Sequence, residues 1–221
     1  MSNTDAPLIL LPGMGADARM FESLQGSLPQ LVTPNWIEPL WTESLNEYAF
    51  RLAKGIDPGV PCFVGGASFG GVVALEVAAA LPSVRACFLI GSIRSPQSLP
   101  FRVKMLRPLT PCIGLLPAFA WLIPPIVGAL FGPRAKRIAR QFADADRRFL
   151  RWASKAILTW KPSPAVAAVR VMQIHGARDP IFPVHLTQPD LVIADAGHVV
   201  SVTHPELTTQ FLLSRMSSFS Q

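Results

Sequence analysis

The sequence predicts an α/β protein: a trimmed, mostly parallel sheet of about six strands with helices on both faces and one helical insertion. Three observations predict it. Short apolar runs alternate with helical stretches along most of the chain, the pattern that produces parallel strands covered by crossover helices. The pentapeptide Gly66-Ala67-Ser68-Phe69-Gly70 fits GxSxG, a sharp strand-to-helix turn. Finally, 221 residues that are 50% hydrophobic are enough for one full core, and nothing reads as a linker or an internal repeat.

Strands are expected near Leu8–Leu11, Leu31–Ile37, Val60–Gly65, Ala86–Ile90, Val169–Ile174 and Asp190–Ala194, each a short apolar run bounded by turn residues. Helices are expected near Ala16–Leu28, Ser44–Gly55, Gly71–Leu81 and Pro205–Met216. The third of these is rich in small apolar residues, as a buried helix would be, and Pro82 ends it. Met1 to Pro7 lacks the basic start of a secretory signal, and Leu8 to Leu11 is too short for its apolar segment. Cys62 and Cys87 fall in consecutive strands and read as small buried hydrophobes; with an odd cysteine count, this implies a reducing, cytoplasmic setting.

Between the fourth and fifth strands lies an insertion, residues 93–164, which divides a core of 1–92 and 165–221. Pro108 to Gly132 is almost wholly apolar and long enough for a membrane span, yet five prolines interrupt any continuous helix. A lid is expected instead, one that packs over the site or also touches lipid. Arg134 to Lys161 reads as an amphipathic helix, with Ile138, Phe142, Phe149, Trp152, Ala153, Ile157 and Trp160 on one face and Arg137, Arg140, Arg147, Arg148, Arg151 and Lys155 opposite. From Arg94 to Lys161 there are 13 basic and two acidic residues, net +11; the rest of the chain has 7 and 12, net −5. Such an asymmetry is either a solvated face that keeps an apolar lid in solution or a surface that recruits anionic substrates or acidic membrane. No motif for nucleic acid accompanies it.

A serine in a GxSxG turn is a poor nucleophile until a base takes its proton, and that base needs a carboxylate to orient it. Two later strand ends supply both. Val171 to Ile174 runs into His175-Gly176-Ala177-Arg178-Asp179-Pro180, and Leu191 to Ala194 runs into Asp195-Ala196-Gly197-His198. The carboxyl edge of a parallel sheet is where open α/β folds carry their sites. Asp195 competes with Asp179 for the carboxylate role, and His175, His185 and His204 compete with His198; His175 reads as structural, near the end of its own strand. No cluster of residues has metal-ligand spacing, so neither a metal nor a cofactor is expected.

Taken in chain order, these motifs resemble the α/β-hydrolase superfamily over nearly the whole sequence. Leu10-Leu11-Pro12-Gly13-Met14-Gly15 resembles its oxyanion loop, His175 to Asp179 its acid loop, and Ala196-Gly197-His198 its histidine loop. The family's usual loop begins His-Gly where this chain has Pro12-Gly13. The resemblance implies a catalytic triad of Ser68, His198 and Asp179 and an oxyanion hole formed by the backbone N–H groups of Met14 and Phe69. It also implies a lid domain at 93–164 and a sheet lacking the two strands that usually precede the oxyanion loop. The function expected is a serine esterase or lipase-like hydrolase acting on a small-molecule ester or thioester with an apolar part. The alternatives are a thioesterase, acyltransferase or C–C hydrolase for anionic acyl substrates and, in another class, a noncatalytic module that docks a membrane or partner. Oligomeric state is left open.

Overall fold

The computed structural model describes residues 5–108 and 145–219. Six strands form one sheet: β1 (Leu8–Leu11), β2 (Leu31–Val32), β3 (Cys62–Ala67), β4 (Val84–Ile90), β5 (Val171–Gly176) and β6 (Leu191–Ile193). Their order is β2-β1-β3-β4-β5-β6, and every neighbouring pair is parallel. Among the described residues there are seven α-helices: α1 (Glu22–Gln25), α2 (Leu45–Ile56), α3 (Phe69–Ala80), α4 (Phe101–Lys104), α5 (Arg147–Thr159), α6 (Val200–Thr203) and α7 (Pro205–Ser217). The trimmed α/β-hydrolase fold read from the sequence is the fold observed.

Alternation along each strand divides the core into two layers, because successive side chains leave opposite faces of a sheet. Ile9, Leu11, Val64, Cys87 and Leu89 point to one side and pack with α2, α3 and α5. Leu8, Leu10, Phe63, Phe88, Ile90 and Ile174 point to the other, onto Phe21, Leu24, Phe211 and Leu212. The period-2 alternation thus serves both faces. Burial pushes the thiols of Cys62 and Cys87 upward, as expected of inert core cysteines.

Several boundaries differ from the sequence expectation, each for a local reason. Only Leu31 and Val32 of the expected second strand pair with β1, since Pro34 has no N–H to continue the ladder. The expected helix from Ala16 to Leu28 is a 3-10 turn, Ala18–Phe21, followed by the single turn of α1 ending at Gly26. β3 is shifted two residues toward Ser68, and α3 begins at Phe69 rather than Gly71, so the turn between them is Ser68 alone. The long amphipathic helix expected from Arg134 to Lys161 begins, in its described part, at Arg147, where the Asp146 side chain accepts the Arg148 N–H at 2.8 Å. Arg137, Arg140, Ile138, Phe142 and most of the apolar run from Pro108 to Gly132 lie outside the described residues.

Two contacts anchor α5 to the sheet layer. Its apolar face sets Phe149 and Trp152 against Tyr48 of α2 and Phe69 of α3, with ring centroids 4.2–6.4 Å apart. At its end the buried carboxylate of Glu76, on α3, accepts the Trp160 indole N–H at 2.7 Å and the Ser163 backbone N–H at 3.1 Å. A carboxylate in an apolar helix is costly to bury unless its oxygens are occupied; both donors reach Oε1, and the Ser163 N–H also reaches Oε2 at 3.4 Å.

Candidate active site

Ser68 occupies the one-residue turn between β3 and α3 with φ +52°, the only non-glycine residue with positive φ among the described residues. Such a conformation costs roughly 1–3 kcal/mol and persists only where its surroundings over-determine it. Here close backbone packing does so. A Cβ at Gly66 would strike the backbone of Gly70, and one at Gly70 would strike the carbonyl oxygens of Leu11 and Pro12. Both outer glycines of GxSxG are therefore required by sterics, and the second brings the oxyanion loop against the start of α3. Hydrogen bonds complete the clamp: the Ser68 N–H donates to the Ile90 carbonyl at 3.0 Å, and the Ser92 hydroxyl donates to the Ser68 carbonyl at 2.6 Å.

The structure brings Ser68, His198 and Asp179 together. His198 Nε2 lies 2.8 Å from Ser68 Oγ, and His198 Nδ1 lies 2.8 Å from Asp179 Oδ2. With the imidazole proton on Nδ1, that nitrogen donates to the carboxylate and Nε2 accepts from the serine hydroxyl. His198 is partly exposed and edge-on to the Phe182 ring; the Asp179 side chain is fully buried. Burial pushes the Asp179 carboxyl up, but the His198 charge, the close His175 ring, the hydrogen bond from His198 and the Phe182 N–H together hold it well below the usual carboxylate range.

The competing residues sit elsewhere. Asp195 is exposed and pairs with His204 at 3.4 Å. His185 lies in a short 3-10 turn. His175, read from sequence as structural, is fully buried with its Nε2 3.2 Å from Asp179 Oδ2, in contact with the site. Gln173 and Arg94, which no motif marked, lie behind it. A buried histidine four residues before a candidate acid, on the same strand-to-loop transition, is the sequence signal that was available.

Gly15 has φ +73°, and the Gly13 carbonyl accepts the Ala16 N–H at 3.0 Å, which closes the oxyanion loop into a turn around Met14. Phe69 is the first residue of α3, so its N–H has no acceptor within the helix. Among the described residues neither the Met14 nor the Phe69 N–H has a protein acceptor. Beside this loop a cleft of about 670 Å³ is lined by Gly15, Arg19, Trp36, Glu38, Asp146 and Phe149. No group of three or more His, Cys, Asp or Glu side chains able to hold a metal occurs among the described residues, and no described helix is long and apolar enough to cross a membrane.

Residues 8–211 match the model of the alpha/beta hydrolase family, and the chain belongs to that family. Among solved structures, a thermophilic esterase from Thermogutta terrifontis is similar over 98% of this chain and 91% of its own, at 18% identity and a TM-score of 0.75. A hydrolase from Oleispira antarctica is similar over 96% and 90%, at 16% identity and a TM-score of 0.74. A 2-hydroxy-6-oxo-6-phenylhexa-2,4-dienoate hydrolase from Rhodococcus covers 96% and 90%, at 18% identity and a TM-score of 0.69. No curated protein matches the sequence significantly.

Proposed function

Within the alpha/beta hydrolase family, we propose that this chain is a serine hydrolase that cleaves carboxylic esters through an acyl-enzyme. One observation carries the reading: His198 bridges the Ser68 hydroxyl and the Asp179 carboxylate through contacts of 2.8 Å on each side. In the proposed reaction Ser68 Oγ attacks the ester carbonyl while its proton passes to His198 Nε2. The developing oxyanion accepts from the Met14 and Phe69 N–H groups, which have no competing acceptor among the described residues. Asp179 keeps the second imidazole proton on Nδ1 and stabilises the imidazolium. Collapse expels the alcohol, protonated by His198. Water, deprotonated by the same nitrogen, then attacks the acyl-enzyme and releases the acid.

The substrate proposed is an ester with an apolar part, since the rings of Trp36, Phe149 and Trp152 pack around Phe69, the residue that follows Ser68. Residues 93–164 are proposed as the lid over it. A second reading, an anionic acyl substrate, rests on the basic side chains Arg147, Arg148 and Lys155, exposed on α5. The Rhodococcus neighbour, named for a dienoate substrate, has the same fold. The same face would serve a peripheral contact with anionic membrane, and a noncatalytic docking module would leave Ser68 unreactive.

Turnover of p-nitrophenyl esters of increasing chain length, of matched anionic esters and of acyl-CoA thioesters tests these readings, with Ser68→Ala as the blank. The ester reading expects kcat/KM to rise with chain length and to respond little to salt. If anionic substrates are steered by α5, raising salt from about 10 mM to 500 mM shortens the Debye length from about 30 Å to a few ångströms and lowers kcat/KM for them alone. Absence of any serine-dependent turnover would overturn both.

A further inference from the structure

Asp179 accepts three hydrogen bonds, and only one comes from His198. Oδ1 takes the backbone N–H groups of Ile181 (2.8 Å) and Phe182 (2.9 Å). Oδ2 takes His198 Nδ1 at 2.8 Å and faces His175 Nε2 at 3.2 Å. The hydrogen bond of His175 Nε2 is to the Phe182 carbonyl, at 2.7 Å, and since a carbonyl can only accept, the ring carries its proton on Nε2, beside Oδ2. Both groups facing that nitrogen are acceptors.

What puts the proton there is visible on the other side of the ring. His175 Nδ1 faces the Gln173 amide nitrogen at 3.4 Å. The Gln173 amide cannot turn over, because its oxygen accepts from Arg94 Nε at 2.8 Å and its nitrogen donates to the Ser92 carbonyl at 2.9 Å. Arg94 is itself held by Asp190 at 3.0 Å, and Asp190 also accepts the Gln173 backbone N–H at 2.7 Å. Gln173 and His175 are fully buried, so water does not substitute for any of these partners. With an amide N–H pointing at it, Nδ1 must accept, and the ring proton is left on Nε2.

We propose that Arg94, Gln173 and His175 form a polar relay behind the acid, which fixes the His175 tautomer so that its Nε2–H donates to the Phe182 carbonyl, lies with its positive end beside Asp179 Oδ2, and holds that carboxylate against His198. His175 is then a positioning residue: it touches no substrate and acts through Asp179. The same ring proton bonds the Phe182 carbonyl and faces Oδ2, so the turn from Asp179 to Phe182 and the direction of Oδ2 are set together. The relay rests on the triad proposed above, and the test separates the two.

The experiment measures p-nitrophenyl ester hydrolysis, Tm and the far-downfield proton resonance of a histidine N–H bonded to carboxylate, in wild type, His175→Phe, His175→Gln, Asp179→Asn and His175→Phe combined with Asp179→Asn. His175→Phe should lower kcat about 10- to 100-fold, the combined worth of the hydrogen bond to the Phe182 carbonyl and the polar contact with the carboxylate, with KM changed less than about twofold. His175→Gln, whose amide can donate from nearly the same place, should recover most of the loss and keep the downfield resonance. Because His175 acts through Asp179, the double variant should be no more than about twofold slower than Asp179→Asn alone. Gln173→Met, which removes only the donor opposite Nδ1, covers the case in which His175→Phe does not fold; it should lower kcat about 3- to 10-fold, the worth of an ordinary hydrogen bond.

Full multiplication of the two losses in the double variant, no rescue by glutamine, or unchanged kcat in Gln173→Met would each overturn the relay. Those results would leave His175 as a support for the Phe182 turn alone. If Asp179→Asn itself leaves hydrolysis intact, the triad has failed, and the relay fails with it; if Asp179→Asn is inactive and His175→Phe is not impaired, only the relay has failed.

Discussion

Ser68 and Asp179 are fixed on opposite sides of His198 by different means. On the serine side, backbone meets backbone: Gly66 and Gly70 allow β3, α3 and the oxyanion loop to approach within distances no side chain would permit, and the turn holds φ +52°. On the acid side, β5 ends in a buried network of hydrogen bonds, with three donors on Asp179, the His175 ring in contact with it and a polar relay behind. Steric fixation tolerates no added atom but is indifferent to protonation. Hydrogen-bond fixation tolerates shape better than it tolerates loss of a donor or a proton. Variants of the two sides should therefore fail differently.

The largest effect is expected on the acid side. Asp179→Asn presents an amide where carboxylate oxygens accept three donors, frees the His198 tautomer, and should lower kcat by roughly 10⁴-fold. Asp195→Asn should stay within about twofold of wild type, since an exposed ion pair contributes little. Steady-state hydrolysis by the two variants decides between them; the reverse order would move the acid to Asp195.

The serine side should break through shape. Gly70→Ala drives a methyl into the carbonyls of Leu11 and Pro12 and should cost about 1–3 kcal/mol of stability. Because the displaced loop carries Met14, kcat should also fall by about 100-fold, as when an oxyanion donor is lost. Gly55→Ala, in α2 with open space around its Cα, should instead stabilise by about 0.5–1 kcal/mol and leave kcat unchanged. Thermal melts and kinetics on the pair test whether collision, rather than glycine replacement as such, is responsible.

A third site links the core to α5. Glu76→Ala strands the donors of Trp160 and Ser163 and should cost about 2–4 kcal/mol, about 1–3 for the buried Trp160 N–H and about 1 for the partly buried Ser163 N–H. For a chain of this size that corresponds to a Tm drop of roughly 5–15 °C. Unchanged Tm would mean that α5 is held by its aromatic contacts alone.

These differences also explain how much could be read in advance. The serine side was legible because sterics impose glycine at fixed spacing, and a GxSxG between an apolar strand and an apolar helix carries that requirement in the residues themselves. The strand ends bearing Asp179 and His198 were legible from apolar runs that stop at turn residues. His175, Gln173 and Arg94 were not assembled, because their contacts join residues 79 positions apart in the chain and depend on the register of β4 against β5. The second strand and first helix were overextended because apolar content does not reveal where Pro34 removes a donor or where Gly26 ends a turn.

The smallest effect concerns pH and stability. The Asp179 pKa is depressed in the folded protein, so its ionised form contributes stability above the ordinary carboxylate range, and the contribution is lost as pH falls toward the folded-state value. The stability difference between wild type and Asp179→Asn should therefore narrow below about pH 4, the usual value for an unfolded aspartate. Urea melts at several pH values measure it, and a gap that widens in acid would contradict the assigned contacts.

The most direct test of the site is covalent. Treat wild type, Ser68→Ala and His198→Ala with a fluorophosphonate and locate the adduct by mass spectrometry of peptides. One adduct on Ser68 in wild type, absent from Ser68→Ala and strongly slowed in His198→Ala, is the predicted result. Labelling that persists in Ser68→Ala, or that ignores the loss of His198, would contradict the account at its centre.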